Sequence, residues 1–292
     1  MLASRWVSSA FASFLALCAI PNAGAELVFS ASGPTAADIT ASVTNFRASL
    51  GTLNPNVAGS FGTGRREINW DGVPAARAAP NGLPADFFNV NSPRGIVLST
   101  PGTGFEVSGS SADAGVGQPA FDFSNIDPTY PTFFAPFSPQ RLFTGIGSNI
   151  VDVNLFVPGS TTHALSRGFG VVFSDVDLAD TTSLQFFDRN NNPLGLPSYF
   201  VPNATGNETF SFLGVDFGSA VVSRVRITSG NQILGAGNIT EDLVVMDDFI
   251  FAEPTAVPEP ATLALIVLAL IAAAGPGRRR TGESPLRRAR VS

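Results

Sequence analysis

Five aspartates are the residues of this chain best suited to binding chemistry. Asp175, Asp177 and Asp180 follow one predicted strand, and Asp247 and Asp248 lie in the last predicted strand. Carboxylates with nearby amide and carbonyl oxygens are the ligands that Ca²⁺ prefers. We therefore predict Asp175, Asp177, Asp247 and Asp248 as candidate ligands of a structural Ca²⁺. The alternative is that these acids are solvated or cap turns, since the later Gly and Glu of an EF-hand loop are missing.

Alternation along the two strands predicts which way these acids face. It places Asp175 on the same face as Phe173, and Asp247 on the same face as Phe249. A carboxylate that faces an apolar core needs a partner because its burial is costly. That partner is expected to be Ca²⁺ or an arginine such as Arg167.

Catalytic chemistry has weaker support than cation binding. The chain has one Cys and one His, too few for a Cys/His metal site, and Cys18 lies within residues 1–25, which argues against a Cys–His nucleophile pair in the body. Two carboxylates across a cleft would suit glycan hydrolysis, but 21 acids between residues 26 and 257 make such a pair common by chance. We predict His163 at the surface and no catalytic residues. Trp70, Tyr130 and the Phe133–Phe134 pair could stack sugar rings, although for Trp70 a core position is at least as well supported.

The composition predicts a folded, non-nucleic-acid-binding body. Hydrophobic residues make up 44% and charged residues 14% of 292 residues, a balance that excludes global disorder. The net charge of −6 argues against nucleic-acid binding. Residues 26–257 carry 10 Arg and 21 acids, whereas six Arg and one acid follow Gly277. This asymmetry indicates that the two parts face different environments.

Residues 1–25 have the layout of a secretory signal. An arginine precedes an apolar stretch at 7–20 that is short for a membrane span, and Ala23 and Ala25 form a small-x-small cleavage site. The alternative is an uncleaved anchor. Cys18, the only cysteine, lies in this segment, so the mature protein is expected to fold without disulfides.

The C-terminus predicts a membrane helix followed by a basic tail. Residues 261–274 form a nearly uninterrupted apolar run, which as a helix covers roughly 21 Å against roughly 30 Å of hydrocarbon. Three arginines follow the run, Arg278, Arg279 and Arg280. We predict a transmembrane helix at 261–275 and a cytoplasmic tail at 281–292, with the arginines stopping translocation. A permanent anchor and a buried core helix are the alternatives.

The segment at 257–280 resembles a known sorting signal. Pro258, Glu259 and Pro260 precede the apolar run and the arginines, an order similar to the PEP-CTERM signal of Gram-negative bacteria. The resemblance implies processing by exosortase, a membrane-embedded transpeptidase-like protease. It also implies export and association with extracellular polysaccharide or biofilm matrix.

The body at 26–256 is predicted to be one antiparallel β-sandwich or jelly roll with a short N-terminal helix. Thr35 and Asp38 fit a capping box, and an apolar stripe follows at Ile39, Val43, Phe46 and Leu50. From about residue 68 onward, short alternating strands are separated by turns rich in Gly, Pro and Asn. Stretches such as RGFGVVFSDVD and EDLVVMDDFIF resemble a recurrent class of uncharacterised exported bacterial proteins, a class from which no activity can be carried over to this chain.

These observations predict a protein exported through the inner membrane, with a membrane-anchored precursor, that reaches the cell surface or extracellular matrix. Exosortase is the expected partner, and extracellular polysaccharide a further one. The expected role is a non-catalytic structural or glycan-binding β-sandwich, without a cofactor other than the calcium considered above. The alternative is a secreted glycan hydrolase that uses paired carboxylates.

Overall fold

The computed structural model describes residues 26–110, 121–238, 241–257 and 269–270. The chain divides into two compact units, residues 1–256 and 257–292. Among the described residues, no helix has the length and apolar character needed to cross a membrane. The predicted membrane helix at 261–275 lies outside the described residues except for 269–270, which are helical and exposed.

The body is built mainly from strands. Its helices are α1 (Ala36–Leu50) and the single turn α2 (Phe87–Val90), with 3₁₀ turns at Ala75–Arg77 and Tyr130–Thr132. The strands are β1 (Leu27–Gly33), β2 (Arg65–Ile68), β3 (Ile96–Ser99), β4 (Gly104–Val107), β5 (Phe143–Ile146), β6 (Ile150–Leu155), β7 (Ala164–Leu165), β8 (Gly168–Ser174), β9 (Ser183–Phe187), β10 (Pro193–Phe200), β11 (Phe210–Asp216), β12 (Arg224–Thr228), β13 (Val245–Ala252) and β14 (Thr255–Ala256).

Two antiparallel sheets share one apolar core. The larger sheet has the order β1-β11-β8-β13-β5-β4, with β2 also paired to β13, and the smaller has the order β10-β9-β12-β6-β3. Phe169, Val171 and Phe173 of β8 lie in one cluster with Val225 and Ile227 of β12. The prediction of a mainly β, antiparallel body with few helices is confirmed.

Helix α1 covers the other face of the larger sheet. The N–H of Thr35 donates to the Asp38 carboxylate, as the capping box predicts, and the Thr35 hydroxyl donates to the same carboxylate. The predicted stripe is buried, and Phe46 packs against β8 and β11 at two glycines. A Cβ at Gly170 would lie 2.7 Å from the Phe46 ring, and one at Gly214 would lie 2.9 Å from it. Glycine is therefore needed where the ring approaches the backbone.

The antiparallel pair β8–β13 defines two ends of the body. Phe169 pairs with Phe251, and Ser174 pairs with Val245. Glu253 therefore follows β13 at one end, here the Glu253 end, and Asp242 precedes it at the other, the Asp242 end. Seven residues of β8 separate these ends by about 20 Å.

The sheet edges meet at the start of the described chain. The Tyr199 hydroxyl on β10 donates to the Glu26 carboxylate beside β1 over 2.6 Å. Burial, followed by this hydrogen bond, raises the pKa of Tyr199 to about 12. The first residue expected after signal cleavage is thereby fixed to the body.

Candidate functional site

The Asp242 end gathers five acidic residues from four separate segments. They are Asp122, Asp175, Asp177, Glu208 and Asp242, here called the acidic cluster. In the described part of the chain, none of the five forms an ion pair. Among the described residues, no basic side chain is thus paired with any of these five charges.

Asp175 is the most constrained member of the acidic cluster. It follows β8 with a left-handed φ of 70° and is 3% exposed. Its Oδ1 atom is buried and has no hydrogen-bond partner. Burial, followed by the charges of Asp177 and Asp242, raises the pKa of Asp175 to about 8. The group is therefore poised to hold a proton or a cation.

Asp177 and Asp242 are fixed to the backbone around them. The Asp177 N–H donates to Asp242 Oδ1 over 2.8 Å, and the Gly206 N–H donates to Asp177 Oδ1 over 2.7 Å. The Thr181 hydroxyl also donates to Asp242. Burial raises the pKa of Asp242 despite these hydrogen bonds.

Asp122 and Glu208 are the two remaining members of the acidic cluster. Burial, followed by the charge of Glu208, raises the pKa of Asp122 to about 6. Glu208 itself is exposed and has a left-handed φ of 60°. Its charge also raises the pKa of Asp175, so one exposed carboxylate acts on two more buried ones.

Asp247 and Asp248 form a separate pair in the middle of the larger sheet. Both are buried, and the single Ser138 hydroxyl lies within hydrogen-bond distance of both carboxylates, at 2.9 and 2.8 Å. Asp247 also accepts from the backbone N–H of Phe137, and Asp248 from Arg47. Burial and the charge of Asp248 raise the pKa of Asp247.

Strict alternation was wrong for this pair. The register of β13 shifts between Met246 and Phe249. As a result, Met246 and Phe249 both lie in the core between the sheets. The extra residue of such a bulge breaks the period of two. Asp247 and Asp248 consequently turn toward the same partner, Ser138, instead of facing opposite sides.

The predicted calcium ligands therefore fall into two groups with different neighbours. Asp175 and Asp177 belong to the acidic cluster, and Asp247 and Asp248 are engaged with Ser138. Among the described residues, no three His, Cys, Asp or Glu side chains are placed to hold a metal ion together. The predicted arginine partner, Arg167, instead pairs with Asp216 over 3.2 Å. Calcium binding stays a prediction, and Asp175 offers the one free buried oxygen in these two groups.

Two cavities open at the surface of the body. One of about 530 Å³ lies at the Glu253 end, where Glu253 is its one acidic lining residue. Another of about 500 Å³ is lined by Arg77, Leu83 and Phe105, with Glu106 as its one acidic residue. Within the described lining, each of these cavities thus has one carboxylate, whereas glycan hydrolysis uses a facing pair.

The aromatic residues considered for sugar stacking are mostly core residues. Trp70 is buried and stacks on Phe143 with ring centroids 4.1 Å apart, while its indole N–H donates to the Asp247 carbonyl. Tyr130 and Phe134 are also buried. His163 is exposed and lies against Phe156, which confirms its predicted surface position.

The Glu253 end is organised by a buried ion pair. Arg66 Nε and Nη2 donate to the two carboxylate oxygens of Glu253 over 2.8 and 2.9 Å, and both side chains are almost fully buried. The remaining Arg66 donors bind the carbonyls of Val57, Gly59 and Pro93. Sequence analysis missed this pair, although the alternation in β2 places Arg66 and Ile68 on the buried face.

The body ends on a short strand directly after this ion pair. In β14, Thr255 pairs with Leu165 and Ala256 with Ala164 of β7. The Glu253 N–H also donates to the Gly64 carbonyl over 2.9 Å. The chain is therefore fixed to the body as far as Ala256.

Comparison with known proteins defines the class to which the C-terminal segment belongs. Residues 256–280 match the PEP-CTERM protein-sorting motif. This motif indicates an exported protein that is sorted to the cell envelope or surface and processed by exosortase. The motif begins at Ala256, the last residue of the last strand of the body.

Comparisons of the whole chain with curated proteins and solved structures do not narrow its function further. No curated protein matches it. Among solved structures, it is similar to the enzymatically active domain of bacteriophage CBA120 tailspike protein 4, with 14% identity and a TM-score of 0.26. The similarity covers 58% of this chain and 20% of that one, and at this TM-score it carries no argument about fold or function.

The remaining predicted processing residues lie outside the described residues. They are Ala23 and Ala25 of the signal, Pro258, Glu259 and Pro260 of the sorting motif, and Arg278, Arg279 and Arg280 of the basic segment.

Proposed function

We propose that this protein is exported with a cleaved signal, anchored briefly through the segment at 261–275 and released by exosortase. Its body then acts as a non-catalytic β-sandwich at the cell surface or in the exopolysaccharide matrix. The observation that carries the proposal is the sorting motif at 256–280, which starts where the folded body stops.

The position of the motif suits recognition by a membrane-embedded enzyme. Among the described residues, the last strand pairing of the body ends at Ala256, and Pro258 and Pro260 lack the N–H groups needed to extend a strand ladder. We therefore expect a protease to reach the motif without unfolding of the body.

Processing is tested by mass spectrometry of the secreted protein from a host that contains exosortase. Replacing Pro258, Glu259 and Pro260 by Ala should leave the precursor intact in the membrane, whereas Pro285→Ala, a proline of the tail, should leave processing unchanged. A secreted wild-type protein that retains residues 278–292 would contradict the proposal.

The non-catalytic role is supported by the described cavities and carboxylates. Each cavity carries one acidic residue, and Glu253 is occupied by Arg66. Incubation with the matrix polysaccharide of the source cells should show co-sedimentation without new reducing ends. Release of reducing ends that survives extensive purification would favour the hydrolase alternative.

A further inference from the structure

The loop at 51–64 presents apolar side chains to solvent at the Glu253 end. Leu53, Val57 and Phe61 are 50%, 49% and 49% exposed. The sequence from Ala48 to Gly64 contains no charged residue, although residues 26–257 as a whole carry 11 more acids than arginines. An uncharged, apolar surface on an acidic body marks a place where contact with another apolar phase is favoured.

The loop is held in this exposed position by the ion pair beneath it. Arg66 donates to the carbonyls of Val57 and Gly59 over 3.0 and 2.9 Å. Asn54 Nδ2 donates to Glu253 over 2.8 Å. The apolar side chains are therefore presented by a fixed backbone and are not free to fold back onto the core.

The same end of the body carries the start of the sorting segment. Glu253 contacts the loop, and β14 fixes the chain two and three residues later. The apolar run begins at Ala261, five residues after Ala256. An extended chain of this length spans at most about 17 Å.

We propose that the 51–64 loop docks on the lipid bilayer beside the point where the sorting segment enters it. This inference rests on the proposed function, because it requires the run at 261–274 to insert. The short connection then keeps the Glu253 end near the headgroups, where Leu53, Val57 and Phe61 enter the interface. Because the loop has no carboxylate, anionic headgroups do not repel it.

The test uses the full chain in a Cys18→Ser background, so that each variant carries one cysteine. Val57→Cys is compared with Leu178→Cys, an equally exposed apolar position in the loop after β8, at the Asp242 end. Both are labelled with an environment-sensitive fluorophore and incorporated into phosphatidylethanolamine–phosphatidylglycerol vesicles. Doxyl-labelled lipid should quench the label at 57 severalfold more than that at 178, and aqueous iodide should show the reverse order.

A second variant separates lipid contact from simple proximity. Replacing Leu53 and Phe61 by Ser should reduce lipid quenching at position 57 severalfold, whereas Leu196→Ser, an exposed position on β10, should not change it. Equal iodide access at 57 and 178 would overturn the docking alone. Protection of position 57 from both quenchers would overturn it in favour of contact with a second copy. Failure of the chain to float with vesicles would overturn both this inference and the proposed membrane segment.

Discussion

The two ends of the β8–β13 pair differ in how their buried charges are balanced. At the Glu253 end, Arg66 and Glu253 neutralise each other and the carbonyls around them accept the remaining donors. At the Asp242 end, burial and neighbouring carboxylates raise the pKa of Asp122, Asp175 and Asp242, and Asp175 keeps an unpaired oxygen. The buried charges of the Glu253 end are thus paired with each other, whereas Asp175 has no cationic partner among the described residues.

The two ends are therefore expected to differ in their response to pH: the Glu253 end keeps its charges, and the Asp242 end changes its charge. A closed ion pair holds its geometry across the pH range in which both groups stay charged, so it suits a support for the segment that leaves the body. Asp122 and Asp175, whose pKa values are raised to about 6 and about 8, change charge near neutral pH instead. The following predictions test this contrast, beginning with the largest effect.

Breaking the closed pair should destabilise the body most. Arg66→Met leaves Glu253 buried without a partner, and we expect a loss of about 3–5 kcal/mol in the free energy of unfolding, measured by urea denaturation. Arg226→Met is the matched control, because Arg226 pairs with Asp152 at the surface. That change should cost less than about 1 kcal/mol. Equal losses would mean that the Arg66–Glu253 pair does not hold its end of the body.

Removing the Asp175 charge should instead raise the free energy of unfolding relative to the wild type at alkaline pH. Its pKa is raised from 3.8 to about 8 in the folded state, so its stability contribution is complete below the unfolded pKa and is lost as pH rises toward about 8. Between about pH 5 and about pH 8, the wild type should lose roughly 4 kcal/mol more than Asp175→Asn. Asp180→Asn, at an exposed aspartate of the following loop, should keep the wild-type profile. Parallel profiles for wild type and Asp175→Asn would show that Asp175 is not the responsive group.

Calcium addition distinguishes a cation from a proton at the acidic cluster. If Ca²⁺ occupies the cluster, it should stabilise the body by about 1.4 kcal/mol at about ten times its dissociation constant. The melting temperature should then be higher in Ca²⁺ than in chelator, more so at alkaline pH, and Asp175→Asn should remove the difference. An unchanged melting temperature would contradict the calcium prediction. Protonation of Asp175 would then be the remaining explanation of the pH response.

The smallest expected effect is a change in the pKa of Asp122 and Asp175 when Glu208 is neutralised. Glu208→Gln removes a charge that raises the pKa of both Asp122 and Asp175, so both carboxyls should titrate at lower pH. For Asp122 the pKa should fall below about 6 but stay raised, because burial is the larger cause. Carboxyl ¹³C chemical shifts measure this directly. Unmoved titrations would show that Glu208 is too exposed to act on its neighbours.

Features coded by adjacent residues were predictable from the sequence. The capping box at Thr35 and the stripe through Phe46 specify α1 within one segment, and the alternation of β8 specifies its core face. The sorting motif is likewise a short linear pattern. In each case the physical determinant lies within a few residues of the element.

Features that depend on distant pairing were not predictable. Arg66 and Glu253 are 187 residues apart, and Asp175 meets Asp242 and Glu208 only through the strand order of the larger sheet. The bulge at Asp247 shifts the pattern by one residue, which the alternation of side chains does not reveal. A single sequence lists the charged groups but not which of them the sheet brings together.

The hydrogen bond between Tyr199 and Glu26 has a practical consequence for handling the secreted form. The chain contains no Lys, so after cleavage behind Ala25 the new α-amine at Glu26 is the sole primary amine of the polypeptide. Amine-directed coupling would then attach every molecule to a support or dye through the same sheet edge, with a uniform orientation.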